Sequence, residues 1–241
     1  MKNRPTEIQI TKRAISFAQY KKQFSYNNDA LYTLIFARHR DKIKLSKEKF
    51  AVKNLEKIFT STFQLVPKIG FQTMSLRDLS AETGLSMGGL YSTISYKENI
   101  AIIVKDVVEL VCQELIEKAN AEEDPKLALE IMLRGYLYAS TLLQPWFYFL
   151  YFETRSLPLE NQDESKNIEL NTVAVSARFI DEIAKQLKPN NELEPPSTVI
   201  ATMVLAMIQE RYLKPWKYKK PATTVDSYAD QCLSLVYKAI G

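Results

Sequence analysis

Ser75 and Asp78 stand three residues apart, and Gly84 is followed two positions later by Ser86. These are residue types whose chemistry is that of helix ends. A serine hydroxyl accepts from an orphan backbone N–H, and a carboxylate three residues on reaches back to the serine's own N–H. A glycine without Cβ takes the left-handed conformation that ends a helix. Ser86 then caps a second short helix carrying Leu90, Tyr91 and Ile94, while Leu76, Leu79, Ala81 and Leu85 supply apolar contacts. Helix, glycine-containing turn and helix is the pattern whose second member lies in a DNA major groove. Met87 offers apolar contact to a thymine methyl and no hydrogen bond to guanine. Gly88-Gly89 allows close backbone approach, at a helix cost of roughly 1 kcal/mol per glycine.

Covalent chemistry is poorly provided for. His39 is the single histidine, no glycine-rich phosphate cradle or nucleophile motif is present, and no ligand cluster accompanies His39 to make a metal site. No metal and no cofactor is expected. Cys112 and Cys232 lie far apart and read as buried thiols. No run of 18 apolar residues predicts a membrane span, and the polar, basic start carries no secretion signal, so a cytoplasmic location is expected.

Charge is unevenly spread. Residues 1–57 carry 14 Lys or Arg against five acidic residues, and the remainder 18 against 23, within a net +4. A basic end on an acidic body is the electrostatic footprint of DNA binding.

The stretch from about 47 to 110 resembles the TetR family of transcriptional regulators. The resemblance rests on Gly70-Phe71 at a helix corner, Leu76-Arg77-Asp78-Leu79 through Leu85-Ser86 to Gly89-Leu90-Tyr91, and Lys97-Glu98 opening the next helix. It implies an all-α fold, with an N-terminal three-helix DNA-binding domain and a larger helical domain for ligand binding and dimerisation. The expected division is a basic, partly helical extension over 1–46, the helix-turn-helix domain over 47–96 and the body over 97–241. The family's roles place Ser75 and Arg77 on the DNA backbone, Ser86, Met87, Gly88, Gly89, Ser92 and Thr93 toward the groove, and Tyr91 and Lys97 on phosphates. Departures are a smaller, less charged recognition helix, and Tyr96 where relatives have serine. Ser95 with Glu98 would then form a second capping box.

The extension holds Ile8, Ile10, Ile15, Phe17, Tyr20, Phe24 and Tyr26, too many apolar groups for a free tail. Asn27-Asn28-Asp29 reads as turn and cap before Leu31, Leu34 and Ile35 at helical spacing, and the basic run Arg38 to Lys49 follows. Packing with phosphate contact is one reading, and a minor-groove arm is the other. The spacing predicts a helix over 47–69 capped by Ser46, with Phe50, Leu55, Ile58, Phe59, Thr62, Phe63 and Val66 inward. Further helices are predicted from Lys97 to Asn120, from Pro125, through an aromatic block from Trp146 to Phe152 buried all round, and through Ile168 to Leu187 after a polar loop over Asn161 to Lys166.

By the resemblance, residues 196–212 and 224–240 form the homodimer's four-helix bundle, and the body binds a small hydrophobic effector. Met132, Tyr136, Trp146, Phe149, Phe152 and Phe179 are candidate lining, with Glu153, Arg155 and Asn171 as the polar groups; plain core is the competing reading. The tail from Arg211 to Lys220 with Tyr228 resembles that of family members sensing fatty acyl thioesters, though it equally suits a snorkelling helix end. The expected partners are a double-stranded DNA operator, that effector and a second copy, with no membrane. An all-α enzyme, or an interaction protein holding a hydrophobic ligand without reading DNA sequence, is the alternative.

Overall fold

The computed structural model describes residues 15–189, 192–218 and 223–241. Ile8, Ile10, a minor-groove arm at the first residues, Asn190-Asn191 and Lys219-Lys220 lie outside them. Among the described residues every regular element is helical: α1 Phe17–Gln23, α2 Asn28–Arg38, α3 Glu48–Ile69, α4 Leu76–Thr83, α5 Met87–Thr93, α6 Glu98–Asn120, α7 Pro125–Leu142, α8 Gln144–Glu153, α9 Leu159–Leu187, α10 Ser197–Leu213 and α11 Val225–Ile240. The fold is all-α. The chain divides into two compact units, residues 23–110 with 145–166 and residues 1–22 with 111–144 and 167–241.

The first unit is built on α3. Its inward stripe is Ala51, Val52, Leu55, Ile58, Phe59, Thr62 and Val66, a 3.6-residue period sustained for about four turns. Phe50 falls off that stripe and is 56% exposed, contrary to the inward placement expected for it. The helix starts after Lys47, one residue beyond the expected Ser46 cap. It runs through Pro67 and stops at Gly70, whose φ of 76° is open to glycine. Residues of the extension cover part of this helix: Leu31, Tyr32, Ile35 and Phe36 of α2 and the following Ile43 are all buried, and α2 packs on α3.

On α8, Trp146 stacks on Phe59 at 4.8 Å and meets Phe63 edge-on at 5.1 Å, while Phe149 meets Phe71 at 5.1 Å. Tyr151 and Phe152 are 49% and 46% exposed. The block is therefore two-sided rather than buried all round, because α3 and the corner at Phe71 take up the side carrying Trp146 and Phe149. Asn161 to Lys166 is the opening of α9 and not a loop. Its polar side chains are tied within helical reach, Lys166 to Asp163 at 2.8 Å, and Glu164 accepts from Lys105 at 2.6 Å. Lys105 is buried and also meets Asp106 at 2.9 Å and Glu109 at 3.1 Å, so its charge is fully compensated.

His39, just past α2, is buried with Nε2 3.5 Å from Asp106. Burial pushes its pKa below the usual 6.5; Asp106 and Asp41 oppose that, and Lys42 and Arg38 add to it. The unfolded chain thus takes up the proton more readily than the folded one. Stability is complete above about pH 6.5 and declines as the pH falls below it. The urea midpoint is expected to be lower at pH 5.5 than at pH 7.5, with a smaller difference in His39→Gln; an equal difference would remove His39 as the cause.

In the second unit α7 is the central helix, buried from Met132 through Ser140, and α10 and α11 pack on it and on each other. Pro125 opens α7 with Asp124 accepting from the Lys126 N–H. A Cβ at Gly135 would lie 2.4 Å from Leu115, so α6 and α7 touch there because the residue is glycine. Arg134 donates to Glu130 and Asp230, fixing α11 to α7. Phe17 of α1 packs on Tyr138 at 5.3 Å, and its N–H donates to Asp226. Thr224 caps α11 through the Ser227 N–H. Cys112 and Cys232 are buried thiols that are not joined in a disulfide.

Candidate nucleic-acid interface

The helix-turn-helix is built from its ends inward. The Ser75 hydroxyl accepts from the Asp78 N–H, and the Asp78 carboxylate accepts from the Ser75 N–H at 2.8 Å, completing a capping box. Hydrogen bonds from the Ser75 hydroxyl and N–H hold the Asp78 carboxyl below the usual carboxylate range. Gly84 ends α4 at φ 68°, ψ 11°, a left-handed conformation that a residue with Cβ enters only at a cost of roughly 1–2 kcal/mol. Ser80 donates to the Leu85 carbonyl at 2.6 Å, closing the turn from within, and Ser86 caps α5 through the Gly89 N–H. Leu79, Leu90 and Ile94 are fully buried beneath.

What remains outward on α5 is Ser86, Gly88 and Tyr91, all exposed, with Met87, Gly89 and Ser92 half-buried. Ser75 and Arg77 of α4 are exposed as well. Thr93 turns inward instead: it is fully buried, donates to the Gly89 carbonyl and accepts from Asn54 of α3 at 3.0 Å. Lys97 is engaged by the protein itself. Its ammonium donates to the carbonyls of Phe71, Gln72 and Met74 at 2.9–3.0 Å and lies 5.2 Å from the Phe71 ring centroid. All three of its protons hold the corner before α4. Ser95 is not at a cap, because α6 begins at Glu98 and the turn before it runs through Tyr96.

Sequence reasoning missed how the extension meets this surface. The Leu45 N–H donates to the Ser92 carbonyl at 2.8 Å, pinning the segment between α2 and α3 to the last turn of α5. Arg40, lying over the Phe36 ring, donates to the Leu45 carbonyl at 3.0 Å. Of the basic run, Arg40 and Lys42 are thus engaged within the extension, Lys42 with Asp41 at 2.8 Å. Arg38, Lys44, Lys47 and Lys49 are exposed. The contact joins residues far apart in the chain through a backbone amide, for which side-chain patterns carry no signal.

No family model matches the sequence, and no curated protein matches it. Solved structures do. PfmR of Thermus thermophilus, a TetR-family transcriptional regulator, superposes with a TM-score of 0.58 at 18% identity, over 76% of this chain and 96% of its own. AibR, solved with isovaleryl coenzyme A and operator DNA, gives 0.60 at 17% over 76% and 97%. FadR of Bacillus subtilis, solved with stearoyl-CoA, gives 0.55 at 15% over 78% and 100%. This chain has the TetR-family fold. Each of these TetR-fold structures is spanned almost completely and leaves part of this longer chain unmatched.

The candidate effector residues fall in both units of this TetR fold. Met132, Tyr136, Phe179 and Asn171 belong to the unit with α7; the first three are buried and Asn171 is exposed. Burial first, and then the neighbouring Tyr212, push the Tyr136 hydroxyl well above its ordinary pKa. Trp146, Phe149, Phe152, Glu153 and Arg155 belong to the other unit. Trp146 and Phe149 are packed on the helix-turn-helix core, Glu153 is buried, and Phe152 and Arg155 are exposed. Among the described residues no helix is long and apolar enough to cross a membrane, and no group of three or more His, Cys, Asp or Glu could hold a metal ion.

Proposed function

We propose that this chain is a DNA-binding transcription regulator, a homodimeric repressor released from its operator by a small hydrophobic effector. The observation that carries the reading is α5: seven residues capped by Ser86, pinned at Ser92 and Thr93, sealed below by Leu90 and exposed above at Ser86, Gly88 and Tyr91. A short helix so held is a rigid element to place in a major groove. Ser75, Arg77 and Tyr91 contact phosphates, Ser86 to Gly89 face base edges, and Lys97 acts by fixing the corner. Val199 and Met203, 43% and 62% exposed along α10, and Leu235, 51% exposed on α11, support pairing with a second copy through these two helices. Residues 47–96 are the reading head and 97–241 the body. The acyl-CoA ligands of AibR and FadR support an acyl thioester or fatty acid as the effector class. Binding in the body would favour one of two arrangements of the paired heads. In this reading the protein is cytoplasmic and regulatory rather than enzymatic.

Selection of random duplex DNA by the full chain tests this. The expected product carries two related half-sites about 10 bp, or roughly 34 Å, apart, bound roughly two- to tenfold more weakly by Tyr91→Phe. Failure to enrich any sequence would favour the interaction-protein reading.

A further inference from the structure

Arg211 near the end of α10 is set apart from the other cations whose contacts are described above. Its guanidinium carbon lies 4.7 Å from the ring centroid of Tyr218 and 5.3 Å from that of Tyr228. The two rings meet edge-on at 5.4 Å. Its Nη1 is shut off from solvent and has no hydrogen-bond acceptor. The neighbouring Glu210 does not serve it, since that carboxylate accepts from Lys217 and from the Tyr218 hydroxyl. The Tyr228 hydroxyl is committed to the Met207 carbonyl at 2.6 Å. Cys232 beside it is a neutral thiol, its pKa pushed up to about 11 by burial. A guanidinium cannot shed its proton at ordinary pH, and Arg211, half-buried as a residue, keeps one N–H group shut off from water without an acceptor, which is costly. Among the described residues after Arg211 on this stretch, Lys214 and Lys217 are basic and none up to Tyr218 is acidic. Trp216, 60% exposed, adds an apolar surface between Lys214 and Lys217.

We propose that Arg211, framed by the rings of Tyr218 and Tyr228, is an oxyanion-binding site that receives the carboxylate or phosphate of a small-molecule ligand. The planar fork pairs with either group through two parallel hydrogen bonds, and the rings hold the guanidinium in place before the anion arrives. The proposal rests on the small-molecule effector reading and not on DNA binding, so the test leaves DNA out.

Calorimetric titration of the full chain with sodium octanoate, with inorganic phosphate and with neutral octanol provides the test, run beside Arg211→Met and Arg211→Lys. Octanoate binding without phosphate binding identifies a carboxylate on an apolar body, and phosphate binding identifies a phosphate ester. In either case affinity should fall at least about tenfold in Arg211→Met and less in Arg211→Lys, with octanol bound equally by all three. Without any anion, Arg211→Met should melt no lower than the native chain, because the N–H group left without an acceptor has been replaced by an apolar one. Should Arg211→Met fail to fold, Arg211→Lys carries the comparison: its weaker anion affinity supports the site and unchanged affinity overturns it. Anion affinity equal in all three chains, or none in the native chain, overturns the proposal.

Discussion

Trp146→Ala is expected to destabilise the protein by about 4 kcal/mol, the middle of the range for removing a buried tryptophan. The indole is 4% exposed, stacks on Phe59 at 4.8 Å and meets Phe63 edge-on at 5.1 Å. Aromatic pairs of this geometry add about 0.5–1.5 kcal/mol each beyond burial. In a chain of this size the loss corresponds to a melting temperature lower by roughly 8–16 °C. Thermal unfolding followed by circular dichroism measures it. The same experiment decides between the two readings of the aromatic block. A wall residue of an effector cavity would lose ligand response while costing little stability, so a change below about 1 kcal/mol would return Trp146 to the effector site. Phe152, 46% exposed on the same helix, is the internal comparison; its alanine variant should cost far less.

Lys44→Gln together with Lys47→Gln is expected to weaken operator binding roughly 10- to 100-fold at about 0.1 M salt. Each phosphate contact contributes about 0.9 to the slope of log K against log salt, so the slope should become shallower by about 2. Both ammonium groups are exposed on either side of Leu45, whose N–H is fixed to the last turn of α5. Binding measured by fluorescence anisotropy from about 50 to 300 mM salt provides both numbers. Lys185→Gln, exposed on α9, should leave them unchanged. An unaltered slope in the double variant would mean that this segment supports α5 mechanically and makes no phosphate contact. Deleting residues 1–44 would not separate these outcomes. It would strip Leu31, Tyr32, Ile35, Phe36 and Ile43 from the surface they cover and test folding instead of electrostatics.

The helix-turn-helix was legible in the sequence because its determinants are local. Ser75 and Asp78, Gly84 and Ser86 act over a few residues, and a cap or a left-handed turn needs nothing from the rest of the chain. The same holds for Asp124-Pro125 at the start of α7 and Thr224 at the start of α11. Periodicity placed Leu55, Ile58, Phe59 and Val66 inward. It misplaced Phe50, because an aromatic one step off the stripe is tolerated at the surface where apolar area is abundant.

The remainder was settled by partners distant in sequence. Composition alone made Asn161 to Lys166 a loop, yet Lys105, 59 positions from Glu164, helps hold that stretch as helix. Lys97 looked free for phosphate until three carbonyls from Phe71 to Met74 converged on it, and Thr93 looked outward until Asn54 met it from α3. The aromatic block read as uniform because hydropathy has no direction; α3 and Phe71 gave it one buried side. Local chemistry therefore determined where helices begin, turn and end. Tertiary structure decided which polar groups are spent on the protein and which, like those along α5, are left for something else, because a hydrogen bond has no record in the sequence of its second partner.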